Sequence, residues 1–431
     1  MLEKNSFSKK QWKIIHDDSP YKQIVAAAGS GKTKTVIGYT IKSIEENEFL
    51  LLLSFSRKAC GELRSRLPKV YHPHVEIRTF HAFCYHYIKK YHPTLSKSGF
   101  RILLDEQKEK FIENLILSDP KKSKGIPYEI IVKKLNHLKQ YHPELFEWVY
   151  REIQHYKKEN HFLEFEDLIE IVLEGLKNQE EWVSILKETY QNVIVDEFQD
   201  TDPRQLYFLS LLQPKKLFVV GDDWQAIYGF RGATVEPFLK FRKFFHNAKV
   251  FYLNENFRSL EPIVKLGNHV ISYSSKKIPK IVRTIRKQKS PHPVLSFEIQ
   301  SHKDVEKIVN YVVSYQAMIL VRSNYRKNFW LQNGVPLSQV MTIHKSKGLE
   351  FPVVFLDLAK GWSGEEFLTD EEIRVLYVGI TRAKNLCIIL YEYHPTSIEL
   401  KIFRKVVFKK TENSRHQELE AFLAREKEQR I

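Results

Sequence analysis

The sequence predicts an α/β protein whose parallel sheets are flanked by helices, arranged as two α/β units with a helical segment inserted into the first. A β-branched run, a glycine-rich stretch and a helix-like stretch follow one another within residues 23–41. Two apolar runs, at 192–196 and 217–223, each end directly in carboxylates, as buried strands ending at a functional edge do. A second series of apolar strand-like runs begins near residue 317, and this series predicts the second unit.

Composition and charge narrow the class of protein. The 431 residues are 43% hydrophobic, carry a formal net charge of +16 and are long enough for two to four domains. No apolar run approaches the roughly 18 residues of a membrane span, and the polar N-terminus is unlike a signal peptide. The three cysteines are scattered, which predicts neither disulfides nor a metal cluster and indicates a cytoplasmic location. The positive charge predicts a polyanionic partner, most simply nucleic acid.

The first strand–loop–helix stretch is typical of a phosphate-binding loop. Small residues allow backbone N–H groups to close around phosphates, and the following helix N-terminus adds partial positive charge. Lys32 is placed to reach the β- and γ-phosphates of ATP, and the Thr33 hydroxyl to bind Mg²⁺. Ala26 stands where the general pattern has glycine. The predicted loop comprises Ala28, Gly29, Ser30, Gly31, Lys32 and Thr33.

The carboxylates after the two apolar runs predict the hydrolytic chemistry. Asp196 is expected to hold Mg²⁺, directly or through water, and Glu197 to orient and deprotonate the attacking water. After the second run, Gln225 is a candidate sensor of the γ-phosphate. Upstream of the loop, Gln11 has the paired donor and acceptor that read an adenine edge.

Aromatic and basic residues downstream of Gln225 predict a surface for single-stranded nucleic acid. Tyr228, Phe230 and Arg231 stand beside glycines, which favours a loop over a packed core. Such side chains stack on bases without requiring a particular sequence.

The rest of the chain can be divided by its composition and hydrophobic periodicity. Residues 91–179 are charged and helix-periodic, which predicts a helical subdomain. The second unit lacks a phosphate loop but has a predicted arginine-bearing helix at 371–383, the source of candidate arginine fingers. The predicted domains are 1–90 with 180–255, the helical 91–179, then 256–399, and a charged tail at 400–431.

Eight motifs in order resemble those of the UvrD/Rep/PcrA family of superfamily 1A helicases, over a stretch from Gln11 to about Tyr391. They are A-A-G-S-G-K-T (27–33), S-F-S-R-K-A (54–59), T-F-H-A-F (79–83), V-D-E-F-Q-D-T (195–201), G-D-D-W-Q-A-I-Y-G-F-R-G-A (221–233), N-F-R-S (256–259), T-I-H-K-S-K-G-L-E-F (342–351) and Y-V-G-I-T-R-A (377–383). The resemblance implies two RecA-like domains, named 1A and 2A, with ATP in the cleft between them and single-stranded DNA across their tops. The helical insertion corresponds to the family's 1B subdomain.

The resemblance also implies roles for individual residues. Gln11 contacts adenine, Phe257 stacks on it and Glu350 approaches the ribose. Gln225 couples the γ-phosphate to DNA, while Arg258 and Arg382 reach that phosphate from the second domain. The implied DNA contacts are Phe55, Thr79, His81, Tyr228, Phe230, Arg231, Thr342 and His344.

Several positions depart from the family pattern. Lys34 stands where an arginine usually stacks on adenine, which predicts a looser or less base-selective grip. Phe230 replaces tryptophan, and Phe257 replaces tyrosine. Family members insert a large domain, 2B, after the strand at 317–323, whereas here only residues 324–341 are available, too few for a domain.

Three functions are compatible with this sequence. The first is an ATP- and Mg²⁺-dependent translocase on single-stranded DNA and a 3′–5′ helicase acting at junctions with duplex, monomeric when alone. The second is a DNA-stimulated ATPase subunit that depends on a nuclease or repair partner, as in a repair complex or a Gabija-like anti-phage system. The third, a basic DNA-binding protein with an inactive ATP site, is disfavoured because the residues for hydrolysis occur together.

Overall fold

The computed structural model describes residues 3–46, 48–123, 125–133, 135–229, 232–287, 293–359 and 368–392. The strands are β1 (Tyr21–Ala26), β2 (Leu50–Ser54), β3 (Val75–Thr79), β4 (Arg101–Ile102), β5 (Phe162–Leu163), β6 (Asn192–Asp196), β7 (Lys216–Gly221), β8 (Lys249–Leu253), β9 (Glu255–Asn256), β10 (Arg283–Thr284), β11 (Val294–Glu298), β12 (Met318–Val321), β13 (Val340–Thr342), β14 (Phe351–Asp357) and β15 (Ala383–Tyr391).

The helices connect these strands. They are α1 (Lys9–Ile15), α2 (Lys32–Glu45), α3 (Arg57–Arg66), α4 (Phe80–Tyr91), α5 (Leu95–Ser98), α6 (Asp105–Ser118), α7 (Tyr128–Lys133), α8 (Leu135–Tyr141), α9 (Pro143–Glu159), α10 (Phe165–Asn178), α11 (Glu181–Thr189), α12 (Pro203–Leu212), α13 (Glu236–Leu239), α14 (Phe241–Phe244), α15 (Glu261–Ser272), α16 (His302–Ser314), α17 (Asn324–Gln332), α18 (Ile343–Ser346) and α19 (Asp370–Ile380).

The first large sheet has six strands in the order β3-β2-β6-β7-β1-β8. From β2 to β8 every neighbouring pair is parallel. All five residues of β2 are buried, because helices cover both faces of a parallel sheet and leave no polar face to the strand. The strand order of this sheet places the loop after β1 beside the ends of β7 and β8, so the residues that follow these strands meet at one edge of the sheet.

The second sheet has five strands in the order β11-β15-β14-β12-β13, and all of its pairs are parallel. Alternate residues of β14 enter two different cores: Val354 and Leu356 pack in one cluster, Val353 and Phe355 in the other. Burial on both faces explains why this strand is apolar without alternation. The predicted fold class, two parallel-sheet domains flanked by helices, is therefore confirmed.

The connection between β12 and β13 contains a nine-residue helix, α17, and one short turn of 3-10 helix. Arg326 of this helix donates to the carboxylate of Asp357 at 2.9 Å, and the indole of Trp330 donates to the same carboxylate at 2.7 Å. The pair is buried, so α17 is held against the end of β14. The prediction that no domain is inserted at this connection is confirmed.

The chain separates into two compact units. One comprises the described residues within Met1–Ile77, Gln191–Pro203 and Pro214–Ile431, and it contains the cores of both large sheets. The other comprises those within Arg78–Tyr190 and Arg204–Gln213. This second unit is mostly helical, as predicted, with a core of α6 to α9 residues and one short parallel pair, β4 with β5. The narrower boundaries 91–179 stay a prediction.

Some sequence predictions fall outside the described residues. These are the DNA contacts Phe230 and Arg231 and the charged tail at 400–431. Within the part of the chain that the structure describes, none of the helices has the length and apolar character needed to cross a bilayer. The described cysteines, Cys60, Cys84 and Cys387, are all free and buried.

Candidate functional site

The loop between β1 and α2 has the backbone of a phosphate cradle. Gly29 and Gly31 adopt φ of +68° and +79°, a left-handed conformation that glycine accepts without strain. A Cβ added to Gly29 would stand 2.7 Å from the Cβ of Arg258, and one added to Gly31 would stand 2.5 Å from Nε2 of Gln11. The 14-residue helix α2 begins at Lys32, so its N-terminal N–H groups and dipole face this loop.

Lys32 and Glu197 form an ion pair at the edge of the first sheet. The Lys32 ammonium lies 3.1 Å from both carboxylate oxygens of Glu197. Burial by itself would raise the pKa of Glu197, but the charges of Lys32 and Lys347, together with hydrogen bonds from Gln199 and Lys32, lower that pKa to about 2. Glu197 has a φ of +54°, a left-handed backbone conformation that is uncommon for a residue with a side chain.

Asp196, at the end of β6, is in a different electrostatic state. Burial, followed by the neighbouring charge of Glu197, raises the pKa of Asp196 to about 7. One of its oxygens accepts the backbone N–H of Glu197 at 2.9 Å. A buried carboxylate with so little compensation favours a nearby cation.

Gln199, for which no role was predicted from the sequence, links these carboxylates. Its amide nitrogen donates to Glu197 at 2.6 Å and to Asp200 at 3.0 Å. Its amide oxygen accepts the backbone N–H of Asp222 at 2.9 Å. One fully buried amide therefore joins the ends of β6 and β7. The paired carboxylates on either side of Gln199 were the available signal.

Gln225 and Arg382 are in direct contact. The guanidinium of Arg382 donates to the Gln225 amide oxygen at 2.8 Å, and the Gln225 amide nitrogen donates to Asp222 at 2.5 Å. Arg382 also donates to the carbonyls of Val378 and Leu349. Burial lowers the pKa of Arg382 to about 9, so the guanidinium remains charged at neutral pH. Two residues 157 positions apart thus meet at one place.

Arg258 and Phe257 lie beside the phosphate loop. The backbone N–H of Phe257 donates to the Gly29 carbonyl at 2.8 Å, and the Phe257 residue is 40% exposed. Arg258 donates to Glu350 at 2.7 Å. Asn256, which the sequence argument missed, donates to the Ala28 carbonyl at 2.8 Å and accepts from the N–H of Arg258 at 2.9 Å. The start of the second half is thereby tied to the loop of the first.

Two predicted adenine-side residues are engaged with the protein itself. Gln11 accepts the N–H of Ser8 at 2.9 Å and donates to the Ser30 carbonyl at 3.3 Å, with only 3% of the residue exposed. The Lys34 ammonium bonds the carbonyl of Ser6 and lies 5.1 Å from the ring centre of Phe7. Their contacts to adenine stay predictions.

A cavity of about 910 Å³ connects the hydrolytic residues with predicted DNA contacts. Thr33, Asp196 and Glu197 line one part of it. The lining also includes Phe55, Tyr228, Thr342 and His344 from the predicted DNA contacts, and Lys58, Arg322, Asn324 and Lys345, which the sequence argument did not single out. For Arg322 and Asn324 the available signal was a basic and an amide side chain shortly after an apolar strand.

Phe55 and Tyr228 form a stacked aromatic pair within this cavity. Their ring centres are 5.2 Å apart and the planes are inclined by 20°. Lys347, also missed in the sequence, places its ammonium 4.8 Å from the Tyr228 ring centre. The same ammonium donates to the Gln225 carbonyl at 2.7 Å and pairs with Asp200. One lysine thus contacts both the aromatic pair and the residues around Glu197.

The predicted DNA contacts Thr79 and His81 belong to the helical unit. The Thr79 hydroxyl accepts the N–H of Ala82 at 3.2 Å and caps α4. The His81 ring packs edge-on against Phe165 at 5.9 Å. Their roles in DNA binding stay predictions, as do those of Phe230 and Arg231, which lie outside the described residues.

The donors present are compatible with Mg²⁺ bound alongside ATP. Among the described residues no group of three or more histidine, cysteine, aspartate or glutamate side chains forms a metal cage. Mg²⁺ with a nucleotide instead needs one or two protein oxygens, because water and phosphate complete its shell. Asp196 and Thr33 supply a carboxylate and a hydroxyl to the same cavity. The buried Ser30 hydroxyl has no hydrogen-bond partner, as expected in a loop built to receive a ligand.

Comparison with known proteins places the chain among helicases. Residues 7–246 match the UvrD/REP helicase N-terminal domain, and residues 337–390 match the UvrD-like helicase C-terminal domain. The chain is similar to a probable DNA helicase of Mycoplasma pneumoniae, with 28% identity over an alignment 428 residues long. The alignment covers 85% of this chain and 80% of that protein.

Similarity extends to the ATP-dependent DNA helicase PcrA of two staphylococci. Identity to the Staphylococcus epidermidis protein is 26% over 318 residues, covering 68% of this chain and 43% of PcrA. For Staphylococcus aureus PcrA it is 28% over 281 residues, covering 60% of this chain and 38% of PcrA. The chain therefore spans most of the Mycoplasma protein but less than half the length of either PcrA.

Proposed function

The chain belongs to the UvrD/REP helicase family, and we propose that it is an ATP-dependent translocase on single-stranded DNA that unwinds duplex at junctions with 3′–5′ polarity. The observation that carries the proposal is the cavity that runs from Thr33 and Glu197 to the stacked rings of Phe55 and Tyr228. Hydrolytic groups and a base-stacking surface share one space, which is what coupling of hydrolysis to movement requires.

In the proposed reaction Glu197 is the general base and Lys32 the phosphate ligand. The two side chains neutralise each other in the structure as described. Phosphate oxygens compete for the Lys32 ammonium, so nucleotide binding weakens this pair and raises the pKa of Glu197 towards the range of a useful base. Mg²⁺, held by Thr33 and Asp196, supplies charge neutralisation for the phosphates when bound.

Gln225, Arg382 and Arg258 are proposed to make hydrolysis conditional on domain closure. Gln225 belongs to the first half of the chain and the two arginines to the second, and Gln225 already contacts Arg382 at 2.8 Å. Positive charge from the opposite domain stabilises the transition state only when the cleft is closed. Phe257, 40% exposed beside Gly29, is placed to stack on adenine.

The DNA side of the proposal rests on aromatic and basic groups. Phe55 and Tyr228 present stacked rings for bases, while Lys58, Arg322 and Lys345 supply positive charge for the phosphates. The net charge of +16 favours the same partner. The direction of movement is proposed from family membership.

The test compares ATP hydrolysis with and without single-stranded DNA, together with unwinding of a 3′-tailed and a 5′-tailed duplex. We expect strong stimulation by DNA and unwinding of the 3′-tailed substrate only. Glu197→Gln should retain DNA and nucleotide binding but lose at least 10²-fold in turnover. The exposed Glu188→Gln serves as the matched control and should remain fully active. Turnover by Glu197→Gln comparable to the unaltered chain would remove Glu197 from the role of base.

The β12–β13 connection favours one second candidate, a DNA-stimulated ATPase that separates strands only with a protein partner. A nine-residue helix occupies the position at which the family resemblance places a large domain that engages duplex. In that case the isolated chain hydrolyses ATP on DNA without unwinding. Addition of the native co-purifying partner, a nuclease or repair factor, should then restore unwinding.

A further inference from the structure

A buried lysine from the second half of the chain neutralises two carboxylates of the first half. Lys280, on the segment between α15 and β10, places its ammonium 2.7 Å from Asp222 and 2.7 Å from Asp223. Its side chain is 1% exposed, and both carboxylates are fully buried. The ammonium also lies 4.5 Å from the ring centre of Trp224. Burying three charges is costly, so a role beyond holding the two segments together is expected for this cluster.

The Asp222 carboxylate connects Lys280 to the proposed γ-phosphate sensor. One of its oxygens accepts from Lys280, and the other accepts the amide nitrogen of Gln225 at 2.5 Å. Because that nitrogen is committed, the amide oxygen of Gln225 is turned towards Arg382, from which it accepts at 2.8 Å. An inverted amide would set its N–H groups against the guanidinium donors, where no hydrogen bond is possible.

The neighbouring carboxylate holds the lysine-bearing segment in place. Asp223 accepts from Lys280 with one oxygen and from the N–H of Ile278 with the other, at 2.6 Å. The ammonium therefore stands at a fixed point under Asp222, and its own freedom is small. Residues that do not touch the substrate can raise the rate of an enzyme by holding a catalytic group in its productive geometry through a rigid set of hydrogen bonds.

We propose that Lys280 is a positioning residue for ATP hydrolysis, acting through Asp222 and Gln225 to hold Arg382 in its working orientation. The proposal deepens the proposed function and rests on it. A purely structural ion pair would support the fold of the chain and leave the turnover of the folded protein unchanged. Positioning instead predicts a loss in kcat that depends on Gln225.

The experiment uses Lys280→Met in the full chain, with Lys277→Met on the same segment as the control. The Lys277 ammonium donates to the backbone carbonyls of Ser272 and Ser274 and has no ion pair with the described carboxylates. With saturating single-stranded DNA, Lys280→Met should lower kcat about 10- to 100-fold. Its affinities for single-stranded DNA and for a fluorescent ATP analogue should stay within about threefold of the unaltered chain, since Lys280 touches neither.

A double-mutant cycle with Gln225→Ala then separates positioning from stability. If Lys280 acts through Gln225, the kcat of the double variant Lys280→Met/Gln225→Ala should lie within about threefold of the kcat of Gln225→Ala alone. Losses that multiply, or an unchanged kcat in Lys280→Met, would overturn the proposal. If the unaltered chain does not hydrolyse ATP, the proposed function fails and this proposal fails with it. That result differs from the two outcomes above, in which the unaltered chain is active.

Thermal unfolding measurements show whether a lower kcat arises only because the variant is unfolded. Should Lys280→Met unfold without a cooperative transition, the cycle is run on Lys280→Met/Asp223→Asn. That pair removes one positive and one negative charge, so the net charge of the buried cluster is unchanged. The same dependence on Gln225 is expected in that background, and independent losses there would equally overturn the proposal.

Discussion

The two parallel sheets have the same class of fold but carry different charged residues at the ends of their strands. The first sheet ends in buried carboxylates, among them Asp196 and Asp222, and carries a glycine-rich loop. The second has five strands and no such loop among its described residues, and it is associated with the buried guanidinium of Arg382. Similar folding patterns therefore support different chemistry, because strand order and burial specify the scaffold while the residues at the ends of the strands specify the site.

This difference explains why hydrolysis would need both halves. In the proposed function the carboxylate edge binds Mg²⁺ and activates water, but its negative charge repels the charge that develops on a transferred phosphoryl group. In the proposed function the second half stabilises that charge through Arg382, whereas the proposed base, Glu197, belongs to the first half. The proposal therefore predicts that neither half is sufficient for hydrolysis by itself, and this can be tested by altering one half at a time.

The largest effect should come from removing the cation of each half. Arg382→Ala is expected to lower kcat about 10³-fold while leaving nucleotide affinity within a few-fold, because an arginine finger acts mainly in the transition state. Lys32→Met should lower kcat similarly but weaken nucleotide binding as well, since Lys32 belongs to the phosphate loop. Steady-state ATPase assays and equilibrium nucleotide binding distinguish the two.

The exposed Arg242→Ala provides the control for Arg382→Ala. Arg382→Lys tests whether charge alone suffices, and we expect little recovery because lysine lacks the planar fork that bonds Gln225, Val378 and Leu349 together. Equal weakening of nucleotide binding in Arg382→Ala and Lys32→Met would contradict the proposal that Lys32 binds the nucleotide while Arg382 acts mainly in the transition state.

An intermediate effect is expected from the aromatic pair. Phe55→Ala or Tyr228→Ala should weaken single-stranded DNA binding by roughly 1–3 kcal/mol, the usual contribution of one stacked base. ATP hydrolysis without DNA should change less than about twofold. Fluorescence anisotropy at several salt concentrations measures the affinity, and the salt slope should be unchanged because no phosphate contact is lost. The exposed Phe244→Ala is the control, and an equal loss there would exclude a stacking role.

The smallest effect concerns the anchor of the arginine-bearing helix. Asp370 begins α19 and accepts from the Ser274 hydroxyl at 2.6 Å and from the N–H and hydroxyl of Ser275 at 2.7 Å each. Burial alone would raise the pKa of Asp370, but these hydrogen bonds lower it from 3.8 to about 2. A lowered folded-state pKa stabilises the fold above the unfolded value, and that stabilisation is lost as the pH falls from about 4 towards 2.

Asp370→Asn should therefore lower the unfolding temperature by a few degrees at pH 7 and by less near pH 3. Differential scanning calorimetry of both proteins across this range checks the sign. A difference that stays constant or widens at low pH would show that the ionised carboxylate is not the stabilising form. ATP turnover at pH 7 should change little, since Asp370 stands at the opposite end of α19 from Arg382.

Much of the candidate site was predictable because its residues are consecutive in the chain. Gly29 to Thr33, Asp196 with Glu197, and the carboxylate pair before Gln225 each carry their chemistry in a short pattern. Residues that act through distant partners were missed. Gln199, Asn256, Lys280 and Lys347 have ordinary sequence surroundings, and only their contacts distinguish them.

The sequence by itself determined the class of fold, the phosphate loop, the order of the motifs and the lack of room for a domain at 324–341. Those features depend on local periodicity, turn chemistry and chain length, which neighbouring residues express directly. Tertiary structure decided that Lys32 pairs with Glu197, that Gln225 meets Arg382, and that Lys280 is buried against two aspartates. These pairings join residues 57 to 165 positions apart, and only packing of the sheets and helices brings such residues together.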